Sequence, residues 1–478
     1  MTRVAVRRLP IVVVLVALAI IAFVVGNADP DPAPAVRAPD DAAAAPEPDT
    51  RSSAWYCPGA PDSVPLESQT VTVANVGGID TDVAITVYPA DGSEPVAQTI
   101  PVPANTSSTL PRPTLGPLGP LSVVAFSSTV AVDAGVEGSG MLALGPCAST
   151  AAARWNFAAG TTVRGVQQWL VLFNPFGTDA KVDVALRTDE RLDAPEALQS
   201  LDVPRRSRVL VPVHDYAVRR PRVAVEVRAS TGLIVAEQMM LFLPESGLSG
   251  MTRSLGALEP AESWTFAAGT SITGSRTVIA IVNPDVVDTE VDVRVSAAEV
   301  PLTLSLPSDG VVWVQVGGCV DPPAPDCIPV APDVTYSVTV DAGLGTPVVA
   351  EELVWFTETN VGAGAATVLG TAAPSDEFIV PRLGSAADRT ATFSFVNAGA
   401  TGAVTVDIDV IGAGTVTQPE ALQDVEVPPG VSTLDLTPSV PADAAVVVRA
   451  SGPIVMTRSL YSPTDLSRSH PVVVRSEA

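Results

Sequence analysis

The chain has 478 residues, too many for one hydrophobic core and enough for three or four domains. Its formal charge of −25 excludes the basic surface that nucleic-acid phosphates require and argues against adhesion to anionic lipid. A composition rich in Val, Ala and Thr, without long Glu/Lys/Leu stretches, favours strands over helices.

The N-terminus carries Arg3, Arg7 and Arg8, and Ile11–Val25 follows without a charge or a helix breaker. Arginines before an apolar run hold the N-terminus in the cytoplasm and send the rest across, so residues 1–26 read as a cytoplasmic stub and single-pass transmembrane anchor. The alternative is a signal peptide cut after Ala28, which would release a secreted protein. Residues 27–54 alternate Pro, Ala and acids, a composition that cannot form a core and reads as a disordered, extended tether.

Beyond the tether the chain repeats. WNFAAGTTVRGVQQWLVLFNP at 155–175 returns as SWTFAAGTSITGSRTVIAIVNP at 263–284. An aromatic precedes an Asn by 19 positions at Tyr56/Asn75, Trp155/Asn174, Trp264/Asn283 and Phe378/Asn397. Fixed-period similarity of this kind identifies the folding unit. In the second copy the strands expected are 155–158, 168–173, 180–187, 199–203, 208–213, 222–229 and 233–241, about seven per unit. Alternation is plain in AKVDVALR, where Val182, Val184 and Leu186 share a face. Turn signals separate the strands at the spacing of an antiparallel sandwich. The fold expected is therefore all-β, with four tandem immunoglobulin-like sandwiches at 55–150, 151–260, 261–374 and 375–478. Short links between them suggest neighbours that touch rather than swing.

The cysteines sort into two pairs. Cys57 and Cys147 bracket the first unit, and Cys319 and Cys327 flank an insertion in the third. Bridges there would contribute about 4–5 and about 2–3 kcal/mol by chain entropy, and both imply an oxidising compartment. No C-x-x-C redox motif or Cys/His zinc set competes with this reading.

The assembled pattern, W-x-F-A-x-G, then N-P, alternating valines, V-P-x-x-S-R and V-x-A-E, resembles a β-sandwich repeat of secreted bacterial proteins. The whole chain resembles an actinobacterial family of membrane-anchored extracytoplasmic proteins of unknown function. Trp155, Phe157, Gly160, Asn174, Pro175, Ser207, Arg208 and Glu237 carry the match in the second unit, and Trp264, Phe266, Gly269, Asn283, Pro284 and Glu351 in the third. The fourth departs from it, with Phe378 for Trp, Ala398 for Pro and Thr457 near the expected Glu. The resemblance implies a location and a fold without an activity, in a family thought to accompany envelope glycosyltransferases.

Chemistry is sparse. His214 and His470 are the only imidazoles, and neither has a partner at a recognisable motif spacing, so catalysis and cofactors are not expected. Trp155 and Trp264 read as core anchors rather than sugar platforms, Asn174 and Asn283 as side chains bonding their own turns, and Trp313 and Trp355 as inward-packed strand residues. Asp288, Glu290 and Asp292 read as a solvated strand face rather than a calcium site. The sharpest candidate for binding an anionic glycan or envelope protein is an arginine cluster, Arg205, Arg206, Arg208, Arg219, Arg220 and Arg222, if its two halves lie at one end of the sandwich. The function expected is a non-catalytic structural or interaction protein of the cell envelope, accessory to glycan assembly, with a carbohydrate-binding or adhesive surface protein as the alternative.

Overall fold

A computed structural model describes residues 42–45 and 52–474, apart from 63, 65–67, 127–128, 139–140, 321–322, 360–361, 398 and 400–401. The expected anchor and most of the tether lie outside the described residues. Among the described residues no helix is long and apolar enough to cross a membrane.

The fold is nearly all β. In Ala180–Thr188 the alternation read from the sequence holds: Val182, Val184 and Leu186 are buried, while Lys181 before them is exposed and Asp183 and Ala185 between them are half-buried. One sheet runs in the order Arg154–Phe157, Val223–Thr231, Ala180–Thr188, with Leu192–Asp193 and Leu201–Val203 pairing the last strand. A second runs Ser207–Pro212, Val166–Asn174, Val235–Phe242, Gly250–Leu255. All these pairings are antiparallel. Trp155, Val184 and Val225 of the first sheet share one core with Leu170, Val211 and Val235 of the second.

The same two-sheet plan recurs at 52–146 and 263–369. At 375–469 it recurs with a difference, because one long strand, Ala445–Tyr461, serves both sheets. In the second pair the equivalent stretch is divided at Gly232, whose φ of 76° is a left-handed turn.

Two expectations need correction. Each second sheet ends in a return strand that the sequence reading omits: Met141–Pro146, Gly250–Leu255, Gly362–Leu369 and Leu466–Ser469. Three of these strands bury polar side chains, Thr252 and Ser254, Thr367, and Ser467, Arg468 and Ser469, and so lack apolar alternation. Second, part of the expected tether is docked. Ala44–Ala45 pairs in parallel with Val473–Val474, and Ser149 fixes the segment by donating its N–H to Ala42 O at 2.9 Å and accepting Ala44 N–H at 2.9 Å. Small alanines fit where a larger side chain would not, and Ala45 is fully buried.

The return strands settle how the sheet pairs meet. Met141–Pro146 packs against Gly250–Leu255, which packs against Gly362–Leu369, which packs against Leu466–Ser469, which packs back against Met141–Pro146. The cycle is closed. Cores run across the seams: Ala158, Ala159 and Phe242 pack with the third core, Ala267 with Val396 and Val455 of the fourth pair, and Leu142 and Leu144 with the fourth core. Residues 39–478 accordingly form one compact unit.

Candidate functional site

The ring is fastened by polar and ionisable groups that the strands bury. At the seam of first and second sheet pairs, Arg253 donates to Ala134 O at 2.9 Å and Gly145 O at 3.0 Å while pairing with Glu237. Between second and third, Glu351 accepts the Ala159 N–H at 2.6 Å. Between third and fourth, Arg468 pairs with Glu352 at 2.7 Å, both side chains almost wholly buried. Between fourth and first, Arg458 pairs with Asp133 at 2.9 Å and donates to Leu144 O.

Asp465 sits where all four pairs converge. It accepts backbone N–H groups from Leu142, Met251, Ala365 and Leu466, one from each sheet pair. The neighbouring Gly250 and Gly364 make room for it. Both have positive φ, and a Cβ on Gly250 would lie 2.8 Å from the Asp465 carboxylate. Burial pushes the Asp465 carboxyl well above the usual range, and its four backbone bonds oppose that rise. Burial also pushes Glu351 up to about 8, with the Ala159 and Ala158 backbone bonds opposing.

Sequence reasoning singled out Glu237 and Glu351 through V-x-A-E but missed Asp133, Arg253, Glu352, Arg458, Asp465 and Arg468. The available signal was a charge on an otherwise apolar strand, as in PVVAEELV and PIVMTRSL.

The other singled-out residues fall as follows. Both disulfides, Cys57–Cys147 and Cys319–Cys327, form as the spacing predicts. Trp155 and Trp264 are buried, donating their indole N–H to Ile234 O at 2.9 Å and Val348 O at 2.7 Å. Asn174 donates to Thr178 O and Val203 O and accepts from Phe176 N, and Asn283 repeats this with Val287, Leu306 and Asp285. Asp288 and Asp292 accept from Ser308 N and the Thr303 hydroxyl. Among the described residues no group of three His, Cys, Asp or Glu side chains is placed to hold a metal. His214 meets Gln168 O at 2.9 Å, while His470 lies between the Leu369 and Met456 carbonyls. His470 lines a cavity of about 90 Å³ beside the return strands, with Ala42 and Ala43 on its wall.

The arginine cluster is parted. Arg205 and Arg206 are exposed at the turn that faces Phe176 and Asp179, where the Ala180–Thr188 strand begins. Arg219, Arg220 and Arg222 precede Val223, which pairs with Thr188 at that strand's other end. Starts of successive antiparallel strands lie at opposite ends of a sheet, so the two halves cannot make one patch. Three members are also engaged. The Arg208 guanidinium is buried on Pro58 O, Ala60 O and Asp62, Arg220 pairs with Glu190, and Arg222 reaches Asp326 at 3.5 Å.

Arg222 does enter a cleft. It shares a space of about 380 Å³ with Arg276, Trp313, Gln315 and Asp326, rimmed by the Cys319–Cys327 bridge. The register explains the grouping: Trp313 stands opposite Ala280 and Gln315 opposite Val278, on the sheet face that carries Arg276. Trp313 is thus half-buried along a cleft rather than packed inward, a correction to the sequence reading. Its face borders the neighbouring sheet pair, which a single unit's periodicity cannot reveal.

Residues 115–239 match a family described as a family of unknown function, DUF5719, across the end of the first sheet pair and most of the second. No curated protein matches the chain. Among solved structures, the Thermotoga maritima 1070 protein is 14% identical, covering 24% of this chain and 95% of its own, with a TM-score of 0.20. The Anabaena sensory rhodopsin transducer is 16% identical over 21% of this chain and 92% of its own, with a TM-score of 0.16. An alpha-L-rhamnosidase of Streptomyces avermitilis, complexed with L-rhamnose, is 10% identical over 72% of this chain and 45% of its own, also with a TM-score of 0.16.

Proposed function

We propose that this chain is a non-catalytic extracytoplasmic scaffold of the cell envelope. It comprises four immunoglobulin-like sandwiches, at 55–150, 151–260, 261–374 and 375–478, held to the membrane by the N-terminal segment. The observation that carries this reading is the closed cycle of return strands, each seam fastened by a buried polar contact. Such a ring resists the domain motions that separate sandwiches would make by default, and rigidity of that order suits a platform that presents outer surfaces to partners. The two disulfides point to an oxidising compartment, which suits the envelope. The partners that fit are an envelope protein or glycan, and the role is accessory to envelope glycan assembly.

The test is a pull-down of the natively tethered protein from cross-linked cells, with thiol labelling of the same material. Recovery of a membrane glycosyltransferase or wall polymer, with all four cysteines unlabelled, supports the reading. Recovery of cytosolic proteins, with the cysteines labelling as free thiols, refutes it.

A further inference from the structure

The cleft between the second and third sheet pairs is not used by the ring. Its volume of about 380 Å³ lies toward the lower end of the range for small-molecule sites, about 300–1,000 Å³. Two features of its lining point to a ligand. Arg276 makes no ion pair among the described residues; its guanidinium lies 5.1 Å from the Trp355 ring centroid. Arg222 comes from the neighbouring sheet pair and meets Asp326 at 3.5 Å; among the described lining residues Asp326 is the one carboxylate against two guanidinium groups. The Cys319–Cys327 bridge fixes the rim, so little ordering is needed on binding.

We propose that this cleft binds a saccharide bearing a carboxylate, a uronic-acid unit, with its pyranose face against Trp313 and its carboxylate on Arg276 and Arg222. The apolar face of a pyranose matches an indole. A guanidinium matches the two oxygens of a carboxylate. The chain's charge of −25 repels a long polyanion, so the site suits a short segment or chain end. This goes beyond the scaffold reading, which stands or falls on the ring.

The test uses the full chain labelled on tryptophan nitrogen, in which Trp313→Phe assigns one of six indole signals. Trigalacturonate, maltotriose and sodium sulfate are titrated in turn, with calorimetry on the wild type and on Trp313→Ala and Arg276→Gln. The Trp313 signal should move with trigalacturonate, with a Kd of about 1 mM or tighter, and each variant should weaken binding at least about tenfold. Added salt should weaken it further. Absence of any shift at about 10 mM overturns the proposal. So does equal binding of maltotriose, an equal response to sulfate alone, or trigalacturonate affinity unchanged in both variants. None of these results bears on ring closure, which is measured separately.

Discussion

Replacing Asp465 with Ala should loosen all four sheet pairs at once. The carboxylate accepts backbone N–H groups from Leu142, Met251, Ala365 and Leu466, and removing it strands four buried donors. An unpaired buried donor costs about 1–3 kcal/mol, so the ceiling is about 4–12 kcal/mol. Water entering the vacated space can satisfy about two of the four, and the desolvation of the carboxyl is relieved, which brings the expected loss to about 3–5 kcal/mol. Asp465→Asn, whose amide oxygen still accepts, should lose less than half of that. The assay is hydrogen exchange by mass spectrometry on peptides covering 141–146, 250–255 and 362–369. A loss of about 3 kcal/mol lowers protection roughly a hundredfold in segments far from the substitution in sequence. Formate should restore part of the protection by occupying the same four donors. If protection changes only near residue 465, the account of Asp465 as a shared acceptor is wrong.

Other perturbations separate the seams. Glu351 is held at about 8 against an ordinary 4.5, so the folded state binds its proton more tightly than the unfolded chain. Stability from this group is therefore full below about pH 4.5, falls as pH rises to about 8, and is flat above. The span is at most about 5 kcal/mol, and Glu351→Gln should abolish that slope in urea titrations between pH 5 and pH 8.5. Arg458→Met leaves Asp133 buried and unpaired and should cost about 3–5 kcal/mol, most of it recovered in the double variant with Asp133→Leu. Arg205→Ser with Arg206→Ser should change stability by less than about 0.5 kcal/mol. By contrast, Arg208→Ser, which loses Pro58 O, Ala60 O and Asp62, should cost about 2–3 kcal/mol by the same denaturation measurement.

The part of the fold that was legible in sequence is the part each unit determines for itself. The aromatic-to-Asn offset is visible because Trp155 and Asn174 each serve their own unit, one in its core and one across its turn. AKVDVALR reads as a strand because its buried and exposed faces belong to one sheet. The ring was not legible for the opposite reason. Leu466–Ser469, LSRS, is buried at every position, yet three of its four residues are polar, and two of these meet other sheet pairs: Ser467 accepts from Leu144 N, and Arg468 pairs with Glu352. Periodicity within one unit carries no record of such partners. The arginine cluster failed likewise, since closeness in sequence hid two opposite ends of one sheet.

Ring closure itself can be measured with one covalent bond. A Cβ built on Gly145 lies 3.5 Å from the Ser469 Cβ, within reach of a disulfide although the positions belong to the first and fourth sheet pairs. In the double variant Gly145→Cys, Ser469→Cys, oxidation of dilute protein should produce an intramolecular bridge in the monomer, seen as a linked peptide pair by mass spectrometry. Free thiols at both positions, or a bridge found only between two chains, would contradict the closed ring.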